Sequence, residues 1–563
     1  MAIYQNYPAE LFSNFREMLH TSAQKYGNKT FVRQKENGVW HSYTFARFFN
    51  DVRALATALM FDGANPKKVL LAGAGGYRWA VVYMAVTCSG NIIVPLDKNI
   101  RADELAKIAS FCEADAIFYD GDPQNAPKDI PLYRFADIPE QIRSGKNRIA
   151  NRDAAYSNTT INGDALSVLL FSAEQTNPPR AVMLSQYNIC FDLREMCQMI
   201  FIGENDVFLS VLPLHHAYAC TCGLLCALYR GSSIAFCEDV HNIWKDMRRV
   251  RATVLLGVPV MTKALLHRLQ SIVQASGTES STQTALAASA LLPTQRARML
   301  ARQKLLANLL YSAVGELRLV ISGGSAADPD VLKALREFGI DAYQGYGISE
   351  CSPLIALHRE HCYNDASVGM ATPNTLLDVC DVQEDGIGEI RCRGKQVMLG
   401  YYQNPELTAQ VLHGGWFYTG DLGYLDDNGY LYVMGKRSNV IVNAQGNPIF
   451  PEELEGLLCK TPFVKEAVVV SFWNDSRQDA DIVALVYPNR DALRDRFGDA
   501  CDEQKLHIQI KKALSTVNAT VPTYKHIHHY LLRDTAFPKT PARKIRRVGL
   551  CEAAKDEYLK LMK

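Results

Sequence analysis

Leu317–Ser322 reads LRLVIS and runs straight into Gly323-Gly324-Ser325-Ala326. A run this short and apolar, closed by paired glycines, predicts a buried strand that opens into a tight turn. Three more runs of the same kind flank it: Ala165–Phe171 (ALSVLLF), Val207–Leu212 (VFLSVL) and Thr253–Val258 (TVLLGV). Amphipathic stretches such as Trp244–Arg251 and Val331–Phe338 lie between or beyond them. Strand–helix alternation of this type predicts an α/β fold with layered, largely parallel sheets. The polar stretch Ser271–Thr284 (SIVQASGTESSTQT) is expected to be an exposed loop, followed by helix to about Ala313.

At 563 residues the chain exceeds one ordinary domain and suggests roughly three to four packing units. Hydrophobic residues at 48% and charged residues at 21% exclude a wholly disordered chain. Sixty Lys and Arg against 59 Asp and Glu give a net charge of +1, so no global field favours nucleic acid. Most of the 15 cysteines stand alone, as Cys88, Cys112 and Cys380 do, which suits a reducing cytosol. The N-terminal residues have no secretory pattern, and no apolar run reaches the ~20 residues needed to span a bilayer. A soluble, cytoplasmic protein is expected, with no transmembrane anchor and with peripheral membrane contact left open.

Composition shifts near residue 435. Beyond it the pattern predicts a small α+β domain: a helix opened by Pro451, strands at Val464–Phe472 and Ile482–Tyr487, a helix near Cys501–Val517 and a strand near His526–Leu532. The expected division is a large N-terminal domain, 1–435, of several subdomains, and a small mobile C-terminal domain, 436–563.

Four signatures carry chemistry. They are Ser322-Gly323-Gly324-Ser325, Gly345-Tyr346-Gly347-Ile348-Ser349-Glu350, Tyr418-Thr419-Gly420-Asp421, and Phe537-Pro538-Lys539-Thr540 through Lys544. Paired glycines let a flat ring approach the backbone. The second signature offers an aromatic face, a hydroxyl and a carboxylate. The third puts an Asp on a predicted tight turn, where it could accept ribose hydroxyls. The fourth presents a Lys in a basic stretch. Gly73-Ala74-Gly75-Gly76 fails the dinucleotide fingerprint at Arg78 and is read as a loop.

In order and spacing these signatures resemble the adenylate-forming (AMP-binding) superfamily, and most of all its fatty acyl-CoA ligase branch. LPLHHAY at Leu212–Tyr218, SVGMATPN at Ser367–Asn374, GEIRCRGKQVMLGYYQNPE at Gly388–Glu406 and NPIFPEELE at Asn447–Glu455 support the branch. The resemblance implies ATP, Mg²⁺ and coenzyme A as cofactors and a fatty or other apolar carboxylic acid as substrate. An acyl carrier protein is the alternative acceptor. It implies an active site in the cleft between the two domains. Glu350 is similar to the family's Mg²⁺-linked Glu, and Asp421 to its ribose ligand. Gly323, Gly324, Ser325, Gly345, Tyr346, Gly347 and Ser349 fall where the nucleotide binds. Lys544 matches the catalytic Lys, written here after Arg543 rather than Gly. His216 stands at the acyl mouth or is a structural His, and Ala217–Cys226 would line the acyl tunnel. Cys220 and Cys222 are read as packing rather than metal ligands. Asn439 falls at the family's hinge. Lys436 replaces an expected ribose-contacting Arg, with Arg437 one register away. Gly446 is either a pantetheine-channel glycine or a plain hairpin turn.

The family's phosphate loop is altered. Ser172, Thr176 and Arg180 keep polar or cationic groups, but Glu174, Asn177 and Ala181 stand where glycines are usual. Such loops aim backbone N–H groups at phosphates, and a carboxylate at position 174 opposes them. Two functions follow: a working acyl-CoA ligase with a slowed ATP step, or an impaired homologue that binds AMP, acyl-adenylate or acyl chains as a sensor or partner protein.

Overall fold

The computed structural model describes residues 6–59, 66–171, 180–237, 239–445, 447–498, 503–539 and 545–562. They form two compact units. The first takes the chain to Leu377 and adds Cys392–Phe417 and Asp426–Leu431. The second takes Asp378–Arg391, Tyr418–Leu425 and everything from Tyr432 onward.

Among the described residues, two large sheets organise the first unit. In the nine-stranded sheet, Thr30–Glu36, Ser233–Phe236, Val207–Ser210, Val254–Gly257, Leu319–Ser322 and Asp341–Gly347 run parallel in that spatial order. Antiparallel strands complete both edges. In the seven-stranded sheet, Leu132–Arg134, Ala116–Tyr119, Lys68–Ala72, Ile92–Leu96 and Leu166–Phe171 run parallel, followed by antiparallel Ala181–Ser185 and Gly400–Tyr401. The apolar runs read as buried strands are these strands, and Leu319–Ser322 is buried at every position. Helices pack on the sheets, and Trp79, Tyr83, Phe31, Phe45 and Phe48 are fully buried at the centre.

Local chemistry sets the helix ends. Ser185 and Asn188 form a reciprocal capping box that starts Gln186–Met199. Pro259 opens Pro259–Ser276, and Gly277 at φ +63° closes it in the left-handed region.

The polar stretch Ser271–Thr284 is not a loop. Helix Pro259–Ser276 runs into it, and a second helix, Glu279–Ala290, leaves it after a break at Gly277 and Thr278. No proline interrupts the stretch. Its Ser and Thr hydroxyls bond back to carbonyls one turn earlier, as Ser276 Oγ does to Ile272 O at 2.7 Å and Thr284 Oγ1 to Ser280 O at 2.9 Å.

Gly73–Gly76 is a loop between strand Lys68–Ala72 and helix Tyr77–Cys88. The protein itself fills it. A Cβ on Gly73 would lie 2.3 Å from the Phe135 ring, and the Tyr77 amide donates to Gln34 Oε1 at 2.6 Å.

In the second unit, Val464–Asn474 pairs antiparallel with Asp479–Pro488, which pairs parallel with His529–Leu532. Helices Pro451–Cys459 and Glu503–Asn518 bury Leu454, Leu458, Leu506 and Ile510 in a core with Val469 and Ala484. Among the described residues, no helix is long and apolar enough to cross a membrane.

Candidate active site

In the first unit, strand Leu319–Ser322 delivers the first signature. Gly324 has φ +85°, a conformation that favours glycine. The flat ring against Gly323 is the protein's own: a Cβ there would meet Tyr218 Cζ at 2.9 Å. Tyr218 is held by its hydroxyl, which donates to Ile321 O at 2.8 Å. Beside this turn, the buried Ser322 Oγ has no hydrogen-bond partner among the described residues. A buried hydroxyl is costly to leave unmade, so this orphan fits a polar ligand at the turn.

The second signature lies on the same sheet, because Asp341–Gly347 pairs parallel with Leu319–Ser322. Its end turns antiparallel against Leu354–Leu357, with Gly345 opposite Leu357 and Gly347 opposite Leu354. Gly347 is a steric necessity, since a Cβ there would lie 2.1 Å from Pro353 O, whereas at Gly345 a Cβ would press, at 3.0 Å, on the end of the Leu357 side chain. Tyr346 stands between them, opposite Ala356. The chain then makes a 3₁₀ turn, Ser349–Cys351, which presents Glu350. Tyr401 Oη donates to Glu350 Oε1 at 2.9 Å, and Met398 N donates to Glu350 O at 2.8 Å.

Tyr401 connects Glu350 to strand Ala181–Ser185. Strand Gly400–Tyr401 pairs with Ala181–Ser185, placing Tyr401 opposite Val182. Phe171 in turn faces Ala181 across an antiparallel strand pair. Arg180 immediately precedes the returning strand, and Ala181 is fully buried within it. Ser172, Thr176, Glu174 and Asn177 lie outside the described residues.

His216 N-caps the helical stretch that begins at Ala217, and its carbonyl accepts Cys220 N at 3.0 Å. Its ring lies 4.2 Å from that of His215. Burial lowers the pKa of His215, with Asp97 opposing the shift. Cys220–Leu225 forms one π-helical stretch, a form common at functional positions. Its Gly223, with Ala219, Phe208, Leu209, Ile234 and Leu256, lines a narrow apolar crevice with a free volume of only about 10 Å³. Cys220 and Cys222 are buried, and burial pushes the Cys220 thiol up to about 12.

The second unit carries Asp421. The expected tight turn is absent: Asp421 is buried on strand Trp416–Leu425, just after Gly420 at φ +72°. Gly420 supplies the irregularity that the sequence suggested as a turn, while strand pairing carries on through it. Asp421 N donates to Thr419 Oγ1 at 3.1 Å, and Thr419 Oγ1 donates to Ile390 O at 2.7 Å. Glu389 accepts Gly420 N through Oε1 at 3.1 Å and Arg437 Nη1 through Oε2 at 2.7 Å. Arg437 is therefore tied to the residue beside Asp421. Lys436 ends strand Leu431–Lys436, and Arg437–Asn439 is a 3₁₀ turn. Asn439 Nδ2 donates to Glu452 Oε1 at 2.6 Å. Lys544 and Gly446 lie outside the described residues.

Tyr401, Tyr218 and Glu389 were not singled out by sequence reasoning. Tyr401 and Glu389 sit inside the quoted stretch Gly388–Glu406, and Tyr218 closes Leu212–Tyr218, so the signal was a motif without assigned roles. Among the described residues there is no group of three or more His, Cys, Asp or Glu that could hold a metal ion. A single oriented carboxylate, Glu350, still fits Mg²⁺, which commonly takes one or two carboxylates and completes its shell with substrate phosphates and water.

The sequence is similar to long-chain-fatty-acid–CoA ligase FadD15 of Mycobacterium bovis, 24% identical over 92% of this chain and 91% of that one. It is also 24% identical to the long-chain-fatty-acid–[acyl-carrier-protein] ligase AEE15 of Arabidopsis thaliana, over 84% of this chain and 76% of that one. The fold is that of ATP-bound MatB from Rhodopseudomonas palustris, with a TM-score of 0.74 at 20% identity, covering 97% of this chain and 100% of that one. Residues 19–402 match the AMP-binding enzyme family, and the chain belongs to it.

Proposed function

We propose that this protein activates a fatty or other apolar carboxylic acid with ATP and passes the acyl group to a thiol, in the manner of an AMP-forming acyl-CoA ligase. The observation that carries the reading is the Tyr401–Glu350 bond, which ties the signature carboxylate to the strand pair Gly400–Tyr401 and Ala181–Ser185. Fatty-acid relatives with coenzyme A and with carrier protein as acceptor support the substrate class and both acceptor types.

In the first step a carboxylate oxygen attacks the α-phosphorus of ATP, and the bond to pyrophosphate breaks. In the second a thiolate attacks the acyl carbonyl and AMP leaves. Bound Mg²⁺ supplies positive charge to the crowded phosphates. Glu350, oriented by Tyr401, is the proposed ligand for it. Gly324 and Ser325 form the turn against the base, with Gly323 backed by Tyr218, Gly345, Tyr346 and Gly347 on the neighbouring strand and Ser349 in the turn after it. Asp421 accepts ribose hydroxyls, and Arg437 rather than Lys436 supports it through Glu389. Ser172, Thr176 and Arg180 contact the leaving phosphates. His216 guards the acyl carboxylate, and Lys544 bridges carboxylate and α-phosphate. The proposed boundary of the mobile C-terminal domain is residue 436, with Asn439 as hinge. The lysine segment serves the first step and Gly446 the thiol channel of the second.

A second reading is favoured by one feature, the loss of glycine at Glu174 and Asn177. It holds the chain to be an impaired homologue that binds AMP or acyl-adenylate. Pyrophosphate release with ATP, Mg²⁺ and a panel of acids separates the two. Acid-dependent release supports the ligase; AMP binding without release supports the sensor. Replacing Glu174 and Asn177 together by glycine should raise turnover if the loop limits the rate.

A further inference from the structure

One residue of strand Asp341–Gly347 holds both ends of the first signature's turn. By its backbone, Gln344 is the register partner of Ser322, the last residue of strand Leu319–Ser322 before the turn. By its side chain it reaches the far end, where Gln344 Oε1 accepts Ala327 N at 3.0 Å. Gly324, Ser325 and Ala326 are exposed between these two points, whereas Ser322, Gly323 and Ala327 are buried. Gln344 itself is 4% exposed. A single buried residue thus brackets the segment Gly323–Ala326.

The other end of the amide is also anchored. Gln344 Nε2 donates to Ser367 O at 2.6 Å and to Asp365 O at 3.3 Å. Reversing the amide would set its oxygen against two carbonyls and its NH₂ against the Ala327 N–H, so one orientation satisfies the site. His358, fully buried, stands behind it. His358 N donates to Gln344 O at 3.0 Å, and Gln344 N donates to His358 Nδ1 at 3.4 Å. With Nδ1 accepting, Nε2 carries the proton and donates to Asn364 O and Ser367 O, each at 3.0 Å. Burial lowers the His358 pKa to about 4, which keeps the ring in the neutral form this pairing requires. Arg336 of helix Pro329–Glu337 pairs with Asp365 and lies 4.0 Å from the centroid of the Tyr363 ring. Residues 363–367 are thereby a fixed anchor for the Gln344 amide. A buried network of paired polar groups specifies one geometry where apolar packing would accept several.

We infer that Gln344 is a positioning residue for nucleotide binding, setting the turn Gly323–Ala326 against the sheet at both ends, with His358 as its support. The inference rests on the role proposed above for Gly324 and Ser325.

The full-length protein is compared with Gln344→Met, Gln344→Ala, His358→Asn and Gly324→Val. AMP is titrated into each by calorimetry, and amide hydrogen exchange is followed on each without ligand. Gln344→Met keeps most of the buried volume and removes both polar ends, so it carries the test even where Gln344→Ala fails to fold. Its Kd for AMP should rise about tenfold, with the binding stoichiometry kept. A purely structural role would lower the stoichiometry or the melting temperature and leave the Kd of the folded fraction at its wild-type value. His358→Asn should show a smaller rise of the same pattern. Amides at 324–327 should exchange faster in the Gln344 variants, while those of Ala116–Tyr119 in the other large sheet do not change. Gly324→Val forces a branched side chain where φ is +85° and should abolish AMP binding. Wild-type affinity in the Gln344 variants, beside loss in Gly324→Val, would overturn the inference. So would unchanged exchange at 324–327, whatever the affinity. Wild-type affinity in Gly324→Val would instead remove the nucleotide reading of the turn, leaving the amide exchange to judge whether Gln344 brackets it.

Discussion

Tyr401→Phe removes one oxygen atom and tests the site where the account is most local. The Tyr401 ring is 5% exposed, and its amide is fixed by Thr408 Oγ1 at 2.9 Å, so the ring has no reason to move. What is lost is the donor at 2.9 Å from Glu350 Oε1. A hydrogen bond to a charged group contributes about 1.5–3 kcal/mol. Glu350 is partly exposed, and water replaces part of that bond, which argues for the lower end. About 1.5 kcal/mol corresponds to roughly tenfold in rate or in metal affinity. The assay is ATP–pyrophosphate exchange titrated with Mg²⁺, beside thermal melting. The expected result is a roughly tenfold higher Mg²⁺ requirement, or a roughly tenfold lower exchange rate at saturation, with the melting temperature nearly kept. An unchanged Mg²⁺ titration and rate would show that the orientation of Glu350 does not matter, and would refute the reasoning.

Further outcomes follow from single contacts. Gly347→Ala would drive a Cβ to 2.1 Å from Pro353 O, so the backbone must shift; a loss of about 2 kcal/mol or more in denaturant unfolding is expected, and unchanged unfolding would contradict the strand geometry. Arg437→Ala should weaken AMP binding several-fold by releasing Glu389 from beside Gly420, while Lys436→Ala should have the smaller effect; the reverse order by calorimetry would restore Lys436 as the ribose-side cation. Glu455 has a folded pKa of about 7, above the usual carboxylate value, so the folded state holds a proton that the unfolded chain releases. Its contribution to stability is full below about pH 4.5 and is lost as pH rises through about 7, by at most about 3 kcal/mol. The stability of wild type relative to Glu455→Gln should therefore fall between about pH 5 and pH 8, and a flat difference would contradict it.

The parallel sheets were legible because their strands are short, apolar and buried on both faces, as Leu319–Ser322 and Val254–Gly257 are. The helix at Pro451 was legible from its proline and first-turn acids. Ser271–Thr284 misled because Ser and Thr favour turns in isolation, yet within a helix they bond back to the preceding turn. Asp421 misled for a related reason: Gly420 signals a turn, but its positive φ is absorbed inside a strand. Motifs named the candidate residues, whereas their partners depend on pairing across the fold. Tyr401 is 51 positions from Glu350, and Glu389 is 31 from Gly420, distances over which no local pattern operates.

The central claim is chemical: this chain joins a carboxylic acid to AMP. Continuous measurement of pyrophosphate with purified full-length protein, ATP, Mg²⁺ and saturated acids of increasing chain length tests it most directly. The account predicts release that requires the acid, favours apolar acids and disappears in Lys544→Ala. Release no greater than the acid-free background with every acid, from folded protein that binds AMP, would contradict it.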